Sequence, residues 1–138
     1  MGCVLRVSGR SFDVDAYLRT RAPLVPAAVH RRGQPKFQTQ PKGRRNRRSG
    51  CNIIVSKMDF SDFPGQVRDA VRFLSGKSRA IRTLMRRPGV ESASLDFGVE
   101  RRPEAVVQVD SFPRELVSLA GRLGLSIELS LYPAPDGK

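Results

Sequence analysis

Histidine occurs once and cysteine twice in 138 residues, which leaves little material for a metal centre or a nucleophilic site. His30 stands beside Arg31 and Arg32, with no acid within ten residues and no second histidine or paired cysteine, so it reads as a surface residue. Cys3 and Cys51 each head an apolar stretch and read as small buried thiols. A bridge between them on neighbouring strands stays open until geometry decides it. Cys51 at the start of an apolar strand suits an inert thiol better than a nucleophile activated by His30. Neither G-x-S-x-G nor G-x-G-x-x-G occurs. "SGKS" (75–78) resembles the end of a phosphate-binding loop, but Val71 stands where that loop needs glycine, and the stretch falls inside a helical pattern. The acids do not cluster in a divalent-metal pattern. No cofactor, no metal and no enzymatic activity are expected.

No apolar run approaches the roughly 20 residues of a spanning helix. The opening "MGCVLRVSGR" lacks the layout of a signal peptide, and Arg6 replaces the Ser or Thr of a myristoylation site. A cytoplasmic protein without membrane contact is expected. Acids are scarce where cations are dense. Residues 1–50 hold 12 Lys and Arg against Asp13 and Asp15, whereas 51–138 hold 13 against 11, so +10 of the net +12 belongs to the first third. Arginine outnumbers lysine 20 to 5, a skew that a GC-rich genome also produces.

Strands and helices punctuate the rest. "CVLRVSG" (3–9) alternates as a half-buried strand, and Asp13 or Asp15 suits the cap of a short helix carrying Val14, Tyr17 and Leu18. Residues 31–50 carry three Gly, two Pro and eight cations with no acid, a basic loop with at most a short edge strand at 36–40. "CNIIVSK" (51–57) is a second strand. Ser61 or Asp62 with Pro64 opens a helix expected to run to Arg87 and stop at "RPG". "ESASLDFGVE" (91–100) and "EAVVQVD" (104–110) read as a hairpin around "RRP". Residues 111–124 read as a helix capped by Ser111 and stopped by Gly124, residues 125–132 as the last strand, and 133–138 as a frayed tail.

The predicted order from residue 51 to 132, β-α-β-β-α-β, is that of a ferredoxin-like split βαβ. It implies an α+β domain with a four-stranded antiparallel sheet and two helices on one face. An additional N-terminal strand and short helix precede it, all within a single domain over 1–138.

Positive charge appears in two places. The loop offers Arg31, Arg32, Lys36, Lys42, Arg44, Arg45, Arg47 and Arg48. On the long helix Arg68, Arg72, Arg79, Arg82 and Arg86 fall within a stripe about 80° wide at helical spacing. Both sets suit phosphates or an acidic partner, and both suit a merely solvated surface. Phe37 is the only aromatic within 31–50, so contact with nucleic acid through this loop would be to backbone and blind to sequence.

The segments "FDVDAYL", "VHRRGQPKF", "SGCNIIVS", "FPGQVRDAVRFL", "PGVESASLDFGVE" and "ELVSLAGRLGLSIELSLYP" together resemble a family of small bacterial domain-of-unknown-function proteins. Some of its members resemble immunity proteins of polymorphic-toxin systems. The resemblance implies a binding function, occlusion of a partner protein through one surface, and brings no catalytic residues. At +12 such a partner would be acidic, by complementarity. The expectation is a macromolecule-binding protein, most specifically an immunity-type inhibitor. The alternative is a sequence-blind RNA or DNA binder using the same cations.

Overall fold

The computed structural model describes residues 1–135 and holds nine regular elements. In chain order they are β1 (Cys3–Gly9), α1 (Val14–Arg19), β2 (Ala28–His30), β3 (Ser49–Ser56), α2 (Phe63–Gly76), α3 (Ser78–Met85), β4 (Ser92–Glu100), α4 (Arg114–Arg122) and β5 (Ser126–Tyr132). Local chemistry starts and stops them. The Asp13 carboxylate accepts from the Ala16 amide at 2.9 Å and opens α1, and Asp62 accepts from Gly65 at 3.0 Å and opens α2, each occupying an amide that the first turn leaves free. After α4, Gly124 takes φ +76°, and the Leu125 amide returns to the Ala120 carbonyl, a left-handed stop that glycine accepts without strain.

The strands form one five-stranded mixed sheet in the order β2-β3-β1-β4-β5. β1 pairs antiparallel with both β3 and β4, β2 antiparallel with β3, and β4 parallel with β5. Because β3 and β4 both oppose β1, they run parallel to each other, and α2 with α3 crosses over the strand between them. A split β-α-β is therefore present, but the strand inside it is β1.

Register separates the two faces. Leu5 lies opposite Ile53 and Leu95, and Val7 opposite Cys51 and Ala93. These residues are buried and join one core with Tyr17, Leu74, Ile81, Leu84, Phe97 and Leu116, so all four helices cover the same face. Each Val, Leu, Ile or Phe among them contributes roughly 1.5–3 kcal/mol when fully buried. The other face carries Arg6 opposite Asn52 and Ser94, and Ser8 opposite Gly50 and Ser92. It is polar there, whereas farther along Val4 lies opposite Ile54 and Asp96, and Phe60 stacks on Tyr132 over Gly98.

An α+β class is what the alternation predicts; its finer topology differs. The sheet has five strands with one parallel pair, not four in antiparallel array, and the additional N-terminal strand is its centre. Residues 104–110 form no strand. Both edges of β4 are taken, by β1 and β5, so the expected hairpin partner has no edge to join, and Val106, Val107 and Val109 stand exposed. Gln108 folds this segment back instead, donating to the Glu100 carbonyl at 3.0 Å and accepting from the Arg102 amide at 2.8 Å. The helix expected over 64–87 bends at Lys77 (φ −111°, ψ 16°) into α2 and α3. Its backbone ladder continues through Lys77 to Phe73 and Ile81 to Lys77, each at 2.9 Å. The bend falls beside Gly76 and Ser78, where the apolar period is interrupted. α4 begins after Pro113, and Ser111 does not cap it. The strand over 51–57 starts two residues earlier, at Ser49. Of the expected tail, 133–135 are irregular and 136–138 lie outside the described residues.

A basic basin on the open face of the sheet

Of residues 31–50, expected as an irregular loop, 31–48 form a narrow hairpin that extends β2 and β3, and 49–50 already belong to β3. The Gly33 amide donates to the Asn46 carbonyl at 2.9 Å, Asn46 returns to Gln34 at 2.8 Å, and Lys36 donates to Arg44 at 2.8 Å. Two side chains brace the arms: Asn46 Nδ2 donates to the Arg31 carbonyl at 3.1 Å and Arg45 Nη1 to the Gly33 carbonyl at 2.8 Å. The expected edge strand at 36–40 is instead the turn, closed by Gln40 donating to Phe37 and Gly43 to Gln40.

This hairpin flanks a hollow of about 600 Å³ lined by Ser8, His30, Lys36, Arg44, Arg45, Asn46, Arg47 and Arg48. Ser8 and His30 form its floor on the open face, and five cations form its wall. No acid lines it. Among the described residues the ion pairs are Arg6–Asp96 at 3.1 Å, Arg31–Asp15 at 2.8 Å and Arg102–Asp110 at 3.9 Å; no cation of the wall belongs to one. Like charges converging with no acid in the lining raise the potential in the hollow, which an anion relieves. Glu91 lies outside the lining but within reach of Arg48. It accepts from the Arg10 amide, and that bond, with the charges of Arg48 and Arg10, holds its carboxyl below the usual range.

His30 answers to the same surroundings. Burial disfavours its charged form, and Arg6 adds to the effect, so its pKa is lowered. Arg6 is itself engaged: Nε and Nη2 donate to Asp96 at 3.3 and 3.1 Å, and Ser130 donates to the other carboxylate oxygen at 2.6 Å. Asp96, Glu100 and Glu128 share the open face beyond Arg6, so the anion-receptive region ends there.

The thirteen cations singled out in the sequence separate into distinct groups. Lys36, Arg44, Arg45, Arg47 and Arg48 meet in the basin. Lys42 is exposed in the hairpin turn and does not line it. Arg31 turns away to a bidentate pair with Asp15, whose carboxyl it holds low. Arg32 points Nη1 at the Arg10 carbonyl, 3.4 Å away. Arg68, Arg72, Arg79, Arg82 and Arg86 are all exposed, but they lie on α2 and α3, on the other side of the sheet. The two basic sets are not one surface. Arg79 instead joins Lys77 and Arg87 around a hollow of about 390 Å³ against Tyr17, Ala22 and Pro23.

Ser8, His30 and Asn46 are the lining residues that the charge pattern misses. The alternation of 3–9 already places Ser8 with Arg6 on the non-core side, but nothing local says that a hairpin forty residues later will flank it. Cys3 and Cys51 sit on adjacent strands but out of register: Cys3 pairs with Ser56 and Cys51 with Val7. Four residues along a strand is about 13 Å, too far for a disulfide, and both thiols are free and buried. No family model matches this chain, and no curated protein or solved structure matches it.

Proposed function

We propose that the protein binds the phosphate backbone of RNA or DNA, without reading base sequence, through the basin walled by Lys36, Arg44, Arg45, Arg47 and Arg48. One observation carries this reading: five cations converge on a single hollow that has no acid in its lining. Guanidinium groups suit phosphate oxygens, to which they donate in pairs, and Ser8 adds a hydroxyl that can donate to one. Recognition would stop at the backbone. No Phe, Tyr or Trp lines the hollow; Phe37 is 54% exposed near the hairpin turn, with Lys36 Nζ 5.8 Å from its ring centre.

The immunity-type role, occlusion of an acidic partner, would draw on the same cations, and the same experiment separates the two readings. Labelled mixed-sequence RNA and duplex DNA are titrated at about 50 and 200 mM salt, where each phosphate contact adds roughly 0.7–0.9 to the log–log slope. A slope of about 4 is expected, consistent with the five cations of the wall. The fourfold variant Lys36→Ser, Arg44→Ser, Arg47→Ser, Arg48→Ser spares Arg45, which braces the hairpin, and should bring the slope to about 1 or less. Unchanged binding by the variant would sink the basin as the site. Absence of binding even at the lower salt would remove nucleic acid and leave the acidic partner.

A further inference from the structure

β5 is an outer strand of the sheet, and among the described residues nothing pairs with its free edge. Such an edge is a template for another strand unless it is short, bulged, charged or interrupted by proline. β2, at the opposite edge, is three residues long and continues into the cationic hairpin. β5 has little of this protection. It runs seven residues as SIELSLY with one charge and no proline, and its pairing with β4 is without a bulge. Leu129 and Leu131 lie opposite Phe97 and Val99 on the helix-covered side, yet are 42% and 56% exposed. The core stops short of this edge.

We propose that two copies of this chain join edge to edge through β5, antiparallel about a two-fold axis at Leu129, making one continuous ten-stranded sheet. The strand is complementary to itself in this register. A two-fold axis perpendicular to the sheet keeps every side chain on its own face, so it must pass beside a residue, and three positions lie near the strand's middle. An axis at Glu128 sets that carboxylate against its own copy, a like-charge pair. An axis at Ser130 aligns only residues 128–132. The axis at Leu129 aligns all of 126–132. It sets Leu129 against Leu129 of the second copy, Ile127 against Leu131, and Glu128 against Ser130, so apolar side chains meet on the helix side and no charges clash.

The net charge of +12 does not oppose this pairing strongly. The basin's cations lie on the hairpin that continues β2 and β3, three to four strands from β5, which is about 14–19 Å at the usual strand spacing, beyond the screening length of about 8 Å at physiological salt. Pairing leaves both basins free at the two ends of the joined sheet.

Sedimentation of the full chain tests this over roughly 1 to 200 µM, because association is concentration-dependent. The mass should rise from 15.3 kDa toward twice that value. Leu129→Glu and Leu129→Lys should each remain monomeric. An equal mixture should pair again, because position 129 faces its own copy. Circular dichroism checks that both variants fold. Leu129→Cys gives an independent reading: opposed Cα atoms of antiparallel strands lie about 4.5–5.5 Å apart, within disulfide range, and mild oxidation should yield a covalent dimer while the buried native thiols stay out. A wild-type mass that never rises, charged variants that pair as well as wild type, a mixture that stays monomeric, or no covalent dimer would each overturn the proposal.

Discussion

Histidine is the side chain whose ordinary titration lies closest to neutral pH, and His30 is the only one in the sequence. Its folded pKa is lowered from 6.5, by burial first and Arg6 second. The sign follows from which state takes the proton. Above 6.5 both the folded and the unfolded chain hold a neutral imidazole, and the site costs nothing. As pH falls below 6.5 the unfolded chain protonates first, so stability is lost until the lowered folded pKa is passed. The charged groups facing His30 are Arg6 from β1 and Lys36, Arg44, Arg45, Arg47 and Arg48 from the hairpin, all of one sign. Urea midpoints at about pH 7.5 and 5.0 should therefore fall less for His30→Gln than for wild type. An equal fall in the two proteins would show that the imidazole carries no such penalty. The thiols behave oppositely: burial pushes Cys3 up to about 12 and Cys51 up to about 11, so neither supplies appreciable thiolate at neutral pH. Gln66 shows how one buried polar residue fastens distant segments, donating through Nε2 to the Asp59 carbonyl at 3.0 Å and the Gly98 carbonyl at 2.8 Å.

Helices α2 and α4 each carry a glycine that packing does not require. Gly76 ends α2 and Gly121 lies within α4; a β-carbon at either would meet nothing within 4 Å, and neither has positive φ. Ala at each position should raise stability by about 0.5–1 kcal/mol, by removing backbone freedom from the unfolded chain. Thermal melts of Gly76→Ala and Gly121→Ala read this directly, and no gain would mean that the bend beside Lys77, or the last turn of α4, depends on the glycine. Gly9 is the contrast. Its β-carbon would overlap the Gly89 carbonyl, where the end of β1 crosses the turn before β4. There a side chain would push two backbones apart.

At the level of the whole chain, charge is distributed by face. The basin occupies one end of the open side and the α2–α3 arginines the helical side, while the carboxylates of Asp96, Glu100 and Glu128 lie farther along the open face, which also carries the Phe60–Tyr132 stack. A fold with this much unpaired positive charge repels itself, and salt screens that repulsion. The melting temperature should therefore rise as sodium chloride goes from about 20 to 200 mM. The rise should be smaller in the fourfold basin variant, since four of the crowded cations are gone. A wild-type melting temperature that falls with salt, or equal gains in both proteins, would place the repulsion elsewhere.

The strands over 3–9, 91–100 and 125–132, the caps to within a pair of candidates each (Asp13 or Asp15, Ser61 or Asp62) and the stop at Gly124 were legible along the chain, because each is set by residues within one or two turns of itself. So was the concentration of cations in 31–48. The order of the strands was not. Whether β1 stands outside the sheet or at its centre depends on pairing with segments about forty-five and ninety residues away, and local periodicity carries no such information. The same competition decided 104–110, which has the pattern of a strand but met a β4 with both edges occupied. It also decided the site. Sequence named five basic residues of the basin, whereas its floor of Ser8 and His30 exists only because β1, β2 and β3 lie side by side. The helical arginines shared the charge of the hairpin and were placed on the other face by the same sheet.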